Sequence, residues 1–404
     1  LGRNIPRVRF KEFDGDWNET LFDEIFDEVN ERTSDTEKYP LYSLTLERGV
    51  TPKSERYDRS FLLKKEEDNY KLVKDNDFVY NPMNLTLGAV AKYNGSQDIS
   101  VSGYYNVFRT REAYDCEFFE RLLRSGRLIL RYKSIATGSL IEKQRVHFSQ
   151  FVKLRHPIPS LVEQKKIGKF FSLLDKKIEK QQEKIEQLGL FKKGMLRKIF
   201  SQELRFKDDD GQEFPDWVKT TLRGVSQKIT KKNTDFSILN VISNSSKHGL
   251  VSQRDYFDKD IANTENIDGY YVIENGDFVY NPRVSNDSPY GPINIFNSPE
   301  AGIVSPLYLC FRVEGVNKTF LSYYFKSSMW HRHIYEKGDS GARHDRVSIK
   351  DEEFFNMSLY IPSIKEQEKI VRIFDALDKK ITAEKLKLDL LVSQKLGFMQ
   401  EMFI

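Results

Sequence analysis

The strongest constraint in the sequence is that it is one unit written twice. The six residues Asp77-Phe78-Val79-Tyr80-Asn81-Pro82 return unchanged as Asp277 to Pro282, and Leu174-Asp175-Lys176-Lys177-Ile178 returns as Leu377 to Ile381. Between and around these blocks the matches keep their order at a shift of about 200 residues. Arg9-Phe10-Lys11 answers to Arg205-Phe206-Lys207, and Val101-Ser102 with Tyr105, Phe108 and Arg109 answers to Val304-Ser305 with Tyr308, Phe311 and Arg312. Arg145-Val146 answers to Arg346-Val347, and Glu163-Gln164 to Glu366-Gln367. A tandem repeat of this period is one supersecondary design used twice, so any fold must be able to accommodate both copies.

Both copies end in a helical pattern. Ile167, Phe171, Leu174, Ile178, Ile185 and Leu188 in the first, and Ile370, Phe374, Leu377, Ile381, Leu388 and Leu391 in the second, follow the alternating four-and-three spacing of a coiled-coil seam. Even the polar breaks in the seam correspond, Gln181 with Glu384 and Lys192 with Lys395. Each helix is expected to start after Pro159 or Pro362, with Ser160 or Ser363 as N-cap and Glu163 or Glu366 closing a capping box. A helix of roughly 40 residues is about 60 Å long and leaves a seam that needs a partner, for which the other copy is the obvious choice. The remainder of each copy has short aromatic and β-branched runs between Asn, Gly, Pro and Ser clusters, with short helices at 118–135 and 319–337. The expected class is α+β: two tandem, pseudo-symmetric globules separated by two long antiparallel helices that form a central coiled coil. The expected bounds are residues 1–158 and 201–361 for the globules and 159–200 and 362–404 for the helices.

Composition narrows the function. With 39% hydrophobic and 31% charged residues, 29 Phe and 20 Tyr among 404 positions, the chain is neither disordered nor membrane-embedded, and its polar opening leads us to expect no secretory signal and a cytoplasmic location. Cys116 and Cys310 are expected to be buried free thiols. The net charge of +4 is unevenly placed: residues 161–200 hold 11 Lys and Arg against 5 Asp and Glu, and residues 363–404 hold 8 against 7. That leaves 45 basic and 48 acidic residues elsewhere, so the globules are not a basic sponge for nucleic acid.

The copies diverge where loops are expected. Segments 43–60 and 240–262, and 83–100 and 283–300, differ almost completely around fixed anchors such as Gly49 and Gly249. One frame carrying two unlike loop sets suits the reading of two unlike targets, such as DNA half-sites about 34 Å apart. In the first copy Thr45, Arg48, Lys53, Asn84, Lys92, Asn94, Tyr104, Lys143 and Arg145 have side chains suited to base edges or phosphates. In the second these are Asn244, Ser246, Lys247, His248, Arg283, Asn286, Tyr290, Arg343, His344 and Arg346. The turns Thr137-Gly138-Ser139 and Ser340-Gly341-Ala342 either bring an Arg and backbone amides to a phosphate or simply tie down a strand.

Taken together, the globule–helix–globule–helix order, the Pro-Ser-x-x-Glu-Gln helix starts and the Leu-Asp-Lys-Lys-Ile repeats resemble the specificity subunit of Type I restriction-modification systems. The resemblance spans essentially the whole chain. It implies a protein without a catalytic centre, whose two target-recognition domains each read one half of a bipartite, asymmetric DNA site. It further implies that the helices set the unread spacer and dock two methylation subunits, with Lys176, Lys177, Lys379 and Lys380 among the docking residues. The assembly would methylate adenine with S-adenosylmethionine held by the methylation subunits. Restriction subunits would add ATP- and Mg-dependent cleavage. This chain itself would bind no cofactor and no metal.

Rival readings are weaker. Asn81-Pro82 and Asn281-Pro282 begin like the motif of adenine methyltransferases, but Met83 and Arg283 follow where a second proline is needed, and no glycine-rich cofactor turn is present. Gly189 and Gly194 have phosphate-loop spacing, but Met195 stands in place of the lysine and a helix is expected there. Pro215-Asp216 lacks a second acidic partner for a nuclease, and His331, His333 and His344 lack a metal-ligand set. A coiled-coil tether without DNA fits the composition but has no need for two divergent loop sets.

Overall fold

A computed structural model describes residues 4–53, 70–138, 144–253, 267–340 and 345–404. By their internal contacts these form two compact units, residues 1–183 with 386–404 and residues 184–385. Each long helix therefore contributes to both.

In the first unit a four-stranded sheet has the order Phe26–Val29, Asn106–Thr110, Phe78–Tyr80, Val90–Lys92, all antiparallel. A five-stranded sheet has the order Arg32–Thr33, Tyr70–Val73, Ile99–Val101, Leu41–Thr45, Gly49–Pro52, with one parallel pairing, Leu41–Thr45 on Ile99–Val101. The second unit repeats this. Ser226–Lys228, Leu309–Val313, Phe278–Tyr280 and Ile293–Ile295 form one sheet. Gly249–Ser252, Val241–Ser245, Gly302–Val304 and Tyr271–Ile273 form the other, again with one parallel pairing, Val241–Ser245 on Gly302–Val304. The counterpart of the first unit's edge strand Arg32–Thr33 is reduced here to a single bridge, Lys232 to Tyr271.

The unchanged hexapeptide has a clear physical reason. Successive side chains of a strand face opposite ways, and here both faces are inside. Phe78 and Tyr80 enter a large aromatic core with Phe108, Phe151 and Phe171, whereas Val79 enters a smaller core with Val73, Ile99 and Val107. In the second unit Phe278 and Tyr280 lie with Phe311, Phe354 and Phe374, and Val279 lies with Ile242, Val304 and Cys310. No side chain of the three-residue strand is free to vary without disturbing one core or the other. The flanking residues are also engaged. The Asp77 carboxylate accepts from the Lys74 amide and from the Arg109 guanidinium, and Asp277 accepts likewise from the Glu274 amide and Arg312. Asn81 and Asn281 each accept from the amide two residues on, of Met83 and Arg283, so the Asn-Pro pairs close turns at strand ends.

The long helices span Leu161–Phe200 and Ile364–Met402. All twelve seam residues are buried or half-buried, but their partners differ along the helix. At each start the seam joins a globular core as well as the other helix. Ile167 and Phe171 lie with Met402 and Phe403, and Ile370 and Phe374 lie with Leu196, Ile199 and Phe200. Farther along, three of the polar breaks are paired across the two helices: Lys395 meets Asp175 at 2.5 Å, Glu384 meets Lys184 at 2.8 Å, and Lys192 meets Asp378. Within each unit the pairing is antiparallel, with Phe170 packed edge-on to Phe398 and Phe200 stacked over Phe374.

The helix starts depart from the expected capping box. Ser160 and Ser363 do receive the amides of Glu163 and Glu366, each at 3.4 Å. The glutamate side chains, however, do not reach back to the cap. Glu163 is gripped by Arg9 through two bonds of 2.8 Å, and Glu366 by Arg205 at 3.0 and 3.4 Å. Both carboxylates are almost fully buried, and a buried carboxylate binds a guanidinium fork in preference to a distant amide because both its oxygens can then be paired. Gln164 and Gln367 complete the staple, each donating to the preceding proline carbonyl and accepting from the amide of Asp115 or Asn317. Each expected short helix is in fact two: Cys116–Leu122 and Gly126–Ile135, then Lys318–Lys326 and His331–Lys337. Cys310 is buried, and burial pushes its thiol up to about 12, but Cys116 is only half-buried, which corrects the expectation for that residue. No helix among the described residues is long and apolar enough to cross a membrane.

Candidate nucleic-acid interface

The divergent loops hang from two hairpins and two Asn-Pro turns. Each hairpin turns on a glycine with positive φ, Gly49 at 66° and Gly249 at 72°, a backbone state that costs other residues free energy. That accounts for the anchors within otherwise unlike loops. The Arg-Val pairs dock on the Asn-Pro turns: Val146 donates to the Pro82 carbonyl at 3.0 Å and Val347 to Pro282 at 2.9 Å. Arg145 is bridged to Thr137, and Arg346 to Arg283.

In the second unit these elements enclose a cleft of about 320 Å³. Asn244, Arg283 and Arg346 line it, with Ser243, Ser245, Asn281, Ser305, Leu307 and Tyr308. Arg283 and Arg346 are exposed and adjacent across their bridge, giving the cleft two guanidinium groups. Burial raises the Tyr308 phenol above its ordinary value, so that it stays a neutral hydroxyl. Asn244 has a different role from the other two. It is buried, its amide donates to the Val279 and Pro292 carbonyls, and its oxygen accepts from Asn294. Strand parity explains this: Ile242 points inward, so Asn244 does too, and Ser243 and Ser245 turn to the cleft. Those two serines were not singled out from residue type, although the alternation identifies them.

Elsewhere in this unit Lys247 is exposed, 3.6 Å from Asp287, and His248 and Asn286 are exposed on neighbouring loops. Ser246 accepts from the Ser285 hydroxyl at 3.4 Å. Tyr290 packs its ring 5.0 Å from His331 and is half-buried, outside the cleft. Arg343 and His344 lie outside the described residues, as does Lys143 of the first copy.

In the first unit Arg48, Lys53, Asn84, Asn94, Tyr104 and Arg145 are exposed. Thr45 is turned to the hairpin instead, accepting from the Arg48 amide at 3.1 Å and donating to the Gly49 carbonyl at 3.4 Å. Lys92 is buried, with its ammonium on Glu117 at 2.6 Å and Asn76 at 3.1 Å, so its charge is held inside the fold. Met83 occupies the place of Arg283, which makes the first unit's face less cationic at this point.

Comparison with known proteins agrees with this two-unit arrangement. The family model for the Type I restriction modification DNA specificity domain matches twice, over residues 26–189 and 215–391. A Methanocaldococcus jannaschii protein named for the MjaX type I restriction enzyme specificity subunit is 24% identical over 345 residues, covering 78% of this chain and 74% of its own. Among solved structures, a chain from a study of assembly and conformational transition in the type I R-M system aligns with a TM-score of 0.57 at 16% identity, over 96% of this chain and 97% of its own. The S subunit of a Type-I restriction-modification system from M. genitalium aligns with a TM-score of 0.52 at 14% identity, over 99% of each chain. The HsdS subunit from Thermoanaerobacter tengcongensis aligns at 0.50 with 18% identity, over 96% of each. Repeated frame, paired helices and a double family match leave one assignment: the chain belongs to the family of Type I restriction modification DNA specificity domains.

Proposed function

We propose that this chain is the non-catalytic DNA-recognition subunit of a Type I restriction-modification complex, and that each unit reads one half of a bipartite, asymmetric site. The observation that carries the reading is the contrast between frame and cleft. The two units share sheet order, buried ion pairs and Asn-Pro turns, yet differ at the positions that face solvent around those turns, as Met83 and Arg283 do. The cleft of the second unit offers arginine, serine and asparagine side chains, the types that bond to phosphates and base edges. Chemistry is assigned to partners: two methylation subunits that hold S-adenosylmethionine and restriction subunits that use ATP and Mg. The helix faces outside the seam, with Lys176, Lys177, Lys379 and Lys380 exposed, are the proposed docking surface for the methylation subunits.

The test is an exchange. Replacing residues 201–361 by the equivalent segment of a relative with a known site is expected to change one half-site of the methylated sequence and leave the other half and the spacer intact. A change in both halves together contradicts the assignment of one half-site to each unit.

A further inference from the structure

Two equivalent turns hold a large hydrophobic surface, a tyrosine ring in one unit and a leucine in the other, out in water. Strand Ile99–Val101 passes to Asn106–Thr110 through Ser102 to Tyr105, and Gly302–Val304 passes to Leu309–Val313 through Ser305 to Tyr308. Each turn is pinned in the same two ways. The amide of its fourth residue donates to the serine carbonyl, Tyr105 to Ser102 and Tyr308 to Ser305, both at 3.0 Å. The serine hydroxyl accepts from the third residue's amide, of Tyr104 at 3.4 Å and Leu307 at 3.3 Å. The strands on either side belong to different sheets and are largely buried, so both ends of the turn are fixed. The residue presented at the third position is 74% exposed in one unit, Tyr104, and 60% exposed in the other, Leu307.

A single exposed leucine needs no explanation. The same rigid turn offering a large hydrophobic surface in both units, with its identity changed from a tyrosine ring to a leucine, is a different matter. In the second unit Leu307 stands on the rim of the cleft that holds Arg283 and Arg346. Arginines suited to phosphates beside a fixed apolar side chain are the combination with which proteins pry apart neighbouring base pairs. We propose that Leu307 and Tyr104 are wedge residues, each pressed against one base step at its half-site and unstacking it. This proposal rests on the DNA-reading function above and adds a specificity determinant to it. Unstacking is easiest at pyrimidine–purine steps, so a wedge imposes a preference at a step to which no hydrogen bond is made. Pinning the turn in advance means that no loop has to be ordered when the wedge is applied.

The test uses the full chain with the methylation subunit that co-purifies with it, as wild type, Leu307→Ala and Tyr104→Ala. Both positions are exposed, so neither variant is expected to lose its fold. Duplexes selected by the wild type from a randomised pool are resynthesised with 2-aminopurine placed in turn across each half-site, and its fluorescence reports unstacking. The wild type is expected to brighten one position per half-site in addition to the target adenine, which the methylation subunit turns out of the helix in wild type and variants alike. Leu307→Ala is expected to lose only this additional signal, in the half read by the second unit, to weaken binding on the order of 10-fold and to drop the pyrimidine–purine preference there, while Tyr104→Ala does the same for the other half. If the wild type selects a site and both variants keep its brightness, affinity and step preference, the wedge is wrong and the reading function stands. If the wild type selects no sequence, the reading function falls and the wedge falls with it.

Discussion

At the scale of the residue, the repeat serves as an internal control, because each side chain can be compared with its counterpart in a nearly identical setting. His156 shows this best. It pairs in register with Thr20, as Leu359 pairs with Thr220 in the other unit, and both positions are buried. Neither ring nitrogen of His156 has a hydrogen-bond partner among the described residues, and burial, with Arg131 and Arg127 nearby, pushes the imidazole down to about 3 from an ordinary 6.5. His156→Leu, which copies the second unit, is therefore expected to stabilise the protein by about 1–2 kcal/mol at pH 7. The sign of the pH dependence follows from linkage. Below pH 6.5 the unfolded imidazole binds a proton that the folded one refuses, so the wild type loses stability as pH falls towards 3 and the variant escapes that loss. The gap between them is expected to widen by about 1.5 kcal/mol from pH 6.5 to pH 5 in paired denaturant titrations, and a constant gap would contradict this account. Residue type alone did not separate side chains that face the cleft from those that are buried. Lys92 and Asn244 have the chemistry of DNA contacts and are buried, whereas Ser243 and Ser245 are modest residues that face the cleft. The alternation around Ile242 was the available clue for Asn244, since a strand with one residue inside places the next but one inside as well.

At the scale of the element, helices were far more legible than sheets. Forty-residue helices write their period many times over, and the seam at Ile167, Phe171, Leu174 and Ile178 lies inside as the spacing predicts. A three-residue strand such as Phe78–Tyr80 is legible only as a short aromatic and β-branched run, and its pairing with segments far apart in sequence leaves no local mark. The partners of Arg9 and Glu163 were both visible as repeated residues, but that they meet, 154 positions apart, was not. The register of the seam gives a direct test. Leu174 is half-buried against the core and Leu173 beside it is 57% exposed. Leu174→Asp is expected to cost about 2–3 kcal/mol, since a carboxylate there loses water without gaining a partner, whereas Leu173→Asp should stay within about 0.5 kcal/mol. Equal losses in thermal melts of the two variants would mean that the seam is misplaced.

At the scale of the whole molecule, the tandem repeat already implied two units on one frame, and the divergent loops implied two unlike targets. What the chain could not reveal from composition is where the cationic groups gather, because its charge is nearly balanced outside the first long helix. The fold supplies the answer in the second unit by setting Arg283 and Arg346 side by side across a turn, although they are 63 positions apart. The central claim is that two units read two different short sequences at a fixed separation. Its most direct test is selection from randomised DNA duplexes by the chain with its co-purifying methylation subunit, followed by sequencing of the bound pool. The account predicts two short, unlike blocks at a constant gap. A single block, two blocks at freely varying gaps, or no enrichment from a folded complex would contradict it.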